Sequence, residues 1–277
     1  MKTVNIVKCI FLCLLANVCS TAFAGDYPKP KEMIFAHEDQ NAYPWVLPVG
    51  ENAYVGIDLG LLKLLEKELG VTIHTQGFSW TGCLLQMESG AVDGAFAASY
   101  KADREQYGKF PTKDSGGPDE SKRIHTSGYS LYTRKDLKVT FDGEKFDGLQ
   151  GMVAAQKNFS IVAPLQSFGV QIDDFSSDPL IILTKLKLYR VEAAALQTAR
   201  ADNVIANQQG LADIIVKCPA DLAPFGEKPY FLMLSHQFVE KYPEFAKEIW
   251  DKVEKIRESE EYKTMSEEFY NKKTDTP

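Results

Sequence analysis

The alternation of strand-like and helix-like stretches between Lys31 and Ser99 limits this chain more than any other feature. KEMIFA (31–36) is a short apolar run of strand length. After a polar loop and Gly56, IDLGLLKLLEKELG puts Leu61, Leu62, Leu64, Leu65 and Leu69 on one broad face and ends on Gly70, a good helix stop. VTIHTQGF predicts a second strand. WTGCLLQMESG predicts a second helix, with Cys83, Leu84, Leu85 and Met87 apolar and a stop at Gly90. Val92–Ala98 predicts a third, buried strand. This order implies an α/β fold with an open, largely parallel sheet and helices packed on it. Such sheets take ligands at the carboxyl ends of their strands.

Two loops meet that edge. HEDQNAYPWVLP follows the first strand, and Pro44 and Pro48 keep it from forming a regular element. The second loop follows the third strand and holds Ser99 and Arg104. A hydroxyl and a guanidinium just past a buried strand make a clamp for a carboxylate, because the planar fork matches that anion and is always charged. At the surface, Arg104 would instead pair with Asp93, Asp103 or Glu105. Tyr43 and Trp45, in a polar, proline-bracketed loop, suit a pocket wall. Trp80 opens a helix and suits either the core or the wall. Asp58, Asp93 and Glu192 stand near helix and strand ends, where structural partners are found.

The second half repeats the theme. IHTSGYSLYTRKD is an extended segment leaving the first unit. FDGLQGMVAAQKNFSIVAP predicts a strand over Gly151–Gln156 running into a helix start near Asn158–Ser160. Free backbone N–H groups there favour an anion, or Ser160 serves only as an N-cap. SDPLIILTKLKLYRVEAAALQ predicts a helix with Asp178 as N-cap and Pro179 at its first position. A small-residue strand, Val191–Leu196, follows and ends at Gln197. GCLLQMESGAVDGAFAAS and ILTKLKLYRVEAAALQ share the order apolar helix, Val, acid, small apolar run, polar residue. That weak symmetry fits two similar α/β lobes facing each other. EKPYFLMLS crosses back, and PEFAKEIWDKVEKIRESEEYKTMSEEF predicts one or two closing amphipathic helices.

The first 24 residues carry Lys2 and Lys8, no acid, an apolar run from Cys9 to Ala16, and Ala-Phe-Ala before Gly25. This is the pattern of a cleaved secretory signal, with a run too short for a retained anchor. Without Lys2 and Lys8, the chain has 29 basic against 38 acidic residues, a net charge near −9. Nucleic acid and anionic membrane are poor partners for such a surface. Three of the five cysteines fall in the leader. Cys83 and Cys218 either bridge, in an exported compartment that permits disulfides, or remain two buried small apolar residues. The four histidines are scattered and show no metal spacing, and no cofactor or metal is expected.

The order of these pieces resembles the bacterial periplasmic solute-binding proteins of family 3, the type that binds polar amino acids. The resemblance rests on the leader, the YPW loop, GIDLGLLKLLEKELG, the WTGCLLQMESGAVDG run, S99-Y-K-A-D-R104 and R190-V-E-A-A. It implies a type II periplasmic binding fold with two α/β lobes of mixed, mostly parallel sheets, joined by two crossing segments. The lobes would be 25–123 with 230–277, and 124–229. The family's T-x-x-x-E-R element binds the ligand carboxylate; here its hydroxyl is Ser99 and its guanidinium Arg104, with Asp103 in place of Glu. The residues after the first strand become Glu38, Asp39, Tyr43 and Trp45, and the second-lobe helix start becomes Asn158–Ser160. Gln197 stands where amino-acid binders carry an Asp for the ligand's ammonium. Either Glu38 or Asp39 supplies that counter-charge, or the ligand is not an α-amino acid. The resemblance implies a monomer in the periplasm that passes a small, carboxylate-bearing solute to an inner-membrane ABC permease. A membrane receptor would use the same clamp. A cyclohexadienyl-dehydratase-like enzyme would need Glu38 as general acid or base.

Overall fold

The computed structural model describes residues 27–218 and 225–274. The expected leader, 1–24, lies outside the described residues. Fourteen strands appear among them: β1 (Glu32–Glu38), β2 (Leu47–Gly50), β3 (Ala53–Val55), β4 (Thr72–Phe78), β5 (Gly94–Ser99), β6 (His125–Ser127), β7 (Tyr129–Arg134), β8 (Thr140–Phe141), β9 (Phe146–Asp147), β10 (Val153–Ala155), β11 (Ile172–Asp173), β12 (Ala193–Gln197), β13 (Ile215–Lys217) and β14 (Lys228–Leu234). The main helices of the first four-fifths of the chain are α1 (Ile57–Leu69), α2 (Trp80–Ser89), α3 (Val162–Ser167), α4 (Pro179–Lys187) and α5 (Thr198–Asn207).

Two five-stranded mixed sheets form two α/β lobes, in the orders β4-β1-β5-β14-β6 and β11-β10-β12-β7-β13. The sheets share one plan. In the first, β1 runs parallel to β4 and β5, and β14 lies antiparallel beside β5. In the second, β10 runs parallel to β11 and β12, and β7 lies antiparallel beside β12. The weak symmetry of the sequence is therefore a symmetry of topology: β5 corresponds to β12, and the Ser99 end to the Gln197 end. The chain leaves the first sheet at Ser127 and enters the second at Tyr129, with Gly128 between. It returns to the first sheet through β14.

Local chemistry explains the element ends. In α1 the buried residues are Ile57, Leu61, Leu62, Leu65 and Leu69, together with Asp58, and Gly70 closes the helix in the left-handed region. Ser79 caps α2 by accepting from the Gly82 N–H, and left-handed Gly90 ends it. Trp80, Cys83, Leu84 and Met87 face inward, whereas Leu85 points to solvent. Asp178 caps α4 as expected, accepting from the Leu180 N–H at 2.7 Å, with Pro179 first in the helix.

Three apolar clusters hold the fold. One packs α1 and the closing helices Pro243–Arg257 and Glu260–Thr274 on one face of the first sheet. One packs α4 and α5 on the second sheet. The third is shared by both lobes, joining α2 and Ala95 to Val153, Ala155 and Leu165. Cys83 and Cys218 both belong to this third cluster as free, buried thiols, so no bridge joins them. Burial pushes Cys218 up to about 11, and it raises Cys83 as well.

Two expectations change. Pro48 does not exclude regular structure, because β2 and β3 form a short hairpin with Pro48 opposite Tyr54; a two-stranded edge tolerates proline. The second-lobe helix does not start at Asn158–Ser160. It begins at Val162 and spans only six residues. Asn158 instead occupies a left-handed turn, with φ 60°.

Candidate functional site

A cavity lies between the lobes, at the carboxyl ends of β1, β5 and β12. Its polar walls come from His37, Glu38, Ser99, Arg104, Ser160, Gln197 and Arg200. Its aromatic walls come from Trp45, Trp80, Phe96, Tyr129, Phe159 and Tyr230.

Arg104 lies in a short 3₁₀ turn after β5 and is 5% exposed. Its Nη1 donates to the Ser99 carbonyl at 2.7 Å and to Ser99 Oγ at 2.8 Å. Its Nη2 donates across the cleft to the Asn158 carbonyl at 3.1 Å. The guanidinium lies 5.0 Å from the centre of the Trp80 ring. No carboxylate of the described residues pairs with it, so the surface alternatives Asp93, Asp103 and Glu105 fall away. Asp93 instead accepts from the Ile34 N–H. Burial draws the Arg104 guanidinium down from its usual value, yet an arginine stays cationic.

A second guanidinium enters from the other lobe. Arg200, in the first turn of α5, is 5% exposed, and its Nη1 meets Glu38 Oε2 at 2.7 Å. Its guanidinium lies 5.3 Å from the centre of the Phe159 ring. Burial pushes the Glu38 carboxyl up, and the Arg200 charge draws it back. Glu38 Oε1, Arg200 Nε and Arg200 Nη1 have no hydrogen-bond partner among the described residues, so the close pair is held by charge and not by an aligned hydrogen bond.

Neutral groups complete the floor. Gln197 Nε2 donates to the Tyr230 hydroxyl at 2.7 Å. That hydroxyl lies 3.4 Å from Tyr129 OH, which lies 3.3 Å from Ser160 Oγ. Burial raises Tyr129 well above its usual value. Gln197 Oε1 is buried without a partner among the described residues. His37 Nδ1 lies 2.9 Å from the Glu38 carbonyl, which can only accept, so the proton sits on Nδ1. His37 Nε2 then keeps a lone pair and has no partner among the described residues.

Backbone devices hold Trp45 in place. The Pro44 and Trp45 carbonyls accept from the Ile57 and Asp58 N–H groups, so the loop itself caps α1. A β-carbon on Gly56 would sit 2.0 Å from the Trp45 carbonyl oxygen. Trp45 stacks flat on His125 at 3.7 Å, and His125 Nδ1 meets Asp58 Oδ1 at 2.8 Å. On β5, Ala97 takes φ 61° where the pairing with β14 shifts between Phe231 and Met233. That bulge turns Ala97 to the cavity wall.

Of the residues anticipated from the sequence, Glu38, Trp45, Trp80, Ser99, Arg104, Ser160 and Gln197 come together around the cavity. Asp39 does not. β1 ends at Glu38, so Asp39 lies beyond the strand and outside the cavity lining, where its Oδ1 accepts from Gln40 Nε2. Tyr43 turns away toward Phe269, with ring centres 6.4 Å apart. Asn158 stands at the mouth, where its Nδ2 donates to Thr81 Oγ1 at 2.6 Å. The Phe159 N–H is taken by the Gln156 carbonyl. The sequence reading missed Arg200, Tyr129, Phe159 and Tyr230. Arg200 had a signal: it follows the end of β12 by three residues, as Arg104 follows β5 by five.

The two lobes and the polar cleft between their strand ends define a binding protein of the two-lobed periplasmic class. The family model of the bacterial extracellular solute-binding proteins, family 3, matches residues 35–272, and the chain belongs to that family. Solved structures share the fold at low identity. An ancestral arginine-binding protein bound to glutamine superposes with a TM-score of 0.69 at 17% identity, over 88% of this chain and 99% of that one. A histidine kinase sensor domain with similarity to periplasmic binding proteins gives 0.70 at 14%, over 86% and 96%. An amino acid ABC transporter substrate-binding protein from Streptococcus pneumoniae, bound to L-arginine, gives 0.65 at 19%, over 87% and 95%. No curated protein matches the chain in sequence.

Proposed function

We propose that this protein captures a small carboxylate-bearing solute between its lobes in the periplasm and presents the closed complex to an inner-membrane ABC permease. The observation that carries this reading is Arg104, a buried guanidinium with no carboxylate partner among the described residues. A buried charge without a counter-ion is costly, and a ligand carboxylate removes that cost. Trp80 orients the fork from one side, and Ser99 holds its Nη1. Ser160, Gln197 and Arg200 reach the same cavity from the other lobe, so the ligand would be gripped by groups of both lobes, which couples binding to closure.

A sensory role is the second reading, favoured by the likeness to a histidine kinase sensor domain. The same clamp would then present the closed form to a receptor. A neighbouring permease and ATPase gene pair would separate the two. Binding without turnover is the reading we adopt. Glu38, the candidate acid or base, is engaged by Arg200, which supports binding over dehydration. The direct test is mass spectrometry of small molecules released on denaturing the purified protein, followed by calorimetry with what is found. Recovery of a carboxylic acid that binds the refolded protein is the expected result. A purely cationic or uncharged ligand would refute the carboxylate reading.

A further inference from the structure

We infer that the site selects carboxylates lacking an α-ammonium, with a hydroxyl or another neutral hydrogen-bond donor in its place, so that 2-hydroxy acids bind in preference to the corresponding amino acids. This rests on the carboxylate reading of Arg104 above and narrows it.

The charges at the cavity wall support it. The ionised side chains lining it are Glu38, Arg104 and Arg200. Glu38 and Arg200 neutralise each other at 2.7 Å, which leaves the charge of Arg104. A ligand of net charge −1 balances the site, whereas a neutral zwitterion leaves it positive. The position of the ammonium makes the mismatch worse. The acceptors free to receive a ligand donor are Glu38 Oε1 and Gln197 Oε1. One belongs to a neutral amide and the other to a carboxylate whose second oxygen holds a guanidinium. An ammonium there would lie close to the Arg200 charge in a buried setting, where like charges repel most. A hydroxyl satisfies the same acceptors and adds no charge. His37 carries its proton on Nδ1 and supplies a further neutral acceptor on the same wall.

The neutral Gln197 and the cation Arg200 thus act together as specificity residues. Gln197 removes the anion that would welcome an ammonium, and Arg200 occupies the carboxylate that remains. The six aromatic side chains around them fit an apolar body on the acid.

The test uses the whole mature protein and probes matched in size: L-alanine and L-lactate, L-leucine and L-2-hydroxyisocaproate, L-phenylalanine and L-phenyllactate, L-glutamate and L-2-hydroxyglutarate. Calorimetry should show the hydroxy acid binding at least about tenfold more tightly in every pair that binds. Arg200→Gln frees Glu38 and should shrink that ratio toward one or invert it, while Arg104→Ala weakens both members alike. Equal or tighter binding of the amino acid by the unaltered protein overturns the inference and leaves the carboxylate reading standing. Binding of none of the eight probes overturns that reading and the inference with it.

Discussion

Arg104 and His37 show how a single buried side chain sets a measurable property. Arg104→Ala should weaken carboxylate binding by about 2–5 kcal/mol, because the ligand's anion loses its buried partner. The fold should survive, since Arg104 ends a loop and contributes to no apolar cluster. Calorimetry and thermal melting on the same sample check both halves. His37 predicts an acid sensitivity. It packs against Tyr54 and Phe96, and burial lowers its pKa. The unfolded chain takes up a proton near pH 6.5 that the folded chain refuses. Stability therefore falls as pH drops below about 6.5, and continues to fall until the lowered folded value is passed. Urea melts at neutral and mildly acid pH should show a smaller loss in His37→Gln than in the unaltered chain.

Residue logic made Arg104 legible because a guanidinium past a buried strand has few other uses. It failed at Arg200 for want of symmetry: the second strand end was read only as far as Gln197. Of Glu38 and Asp39, only Glu38 lines the cavity, because the strand ends there and the chain turns away at Asp39. Asn158 lies near the cleft, but not at a helix start. Its carbonyl, not a helix N-terminus, meets the guanidinium.

Among the elements, helices and parallel strands were legible and short connections were not. Leucine spacing, capping residues and glycine stops mark α1, α2 and α4 in the sequence because each is a local requirement of the helix. The hairpin of β2 and β3 was hidden by its proline and its length of a few residues. Two substitutions test the local rules. Asp178→Ala removes the cap of α4 and should cost about 0.5–2 kcal/mol in denaturant unfolding. Gly56→Val should cost more, since a β-carbon there meets the Trp45 carbonyl and the backbone has φ 147°. That change also displaces the loop bearing Trp45, so affinity and stability should fall together.

At the scale of the whole molecule, polar contacts bridge the cleft: Glu38 with Arg200, Arg104 with the Asn158 carbonyl, Asn158 with Thr81, Gln197 with Tyr230, and Tyr230 with Tyr129. The apolar cluster shared by both lobes backs them. Small-angle scattering should show a more compact particle with ligand than without. Asn158→Ala removes the Thr81 bond at the mouth and should speed ligand release more than it slows capture, as measured by stopped flow. The two-lobe plan was legible because the sequence repeats its helix–strand order. The inter-lobe ion pair was not, because it joins residues 162 positions apart that no local pattern links.

Two tryptophans wall the cavity and one packs in the core, a distribution that makes the protein its own optical gauge. Trp45 and Trp80 line the cavity, one stacked on His125 and the other facing the Arg104 charge. The third, Trp250, is buried away from the cavity, with its indole N–H on the Leu232 carbonyl. Emission from two indoles responds to an occupant while the third supplies a constant background. Titration with a binding acid should therefore shift intrinsic fluorescence without any label, and Trp45→Phe and Trp80→Phe divide the signal between the walls.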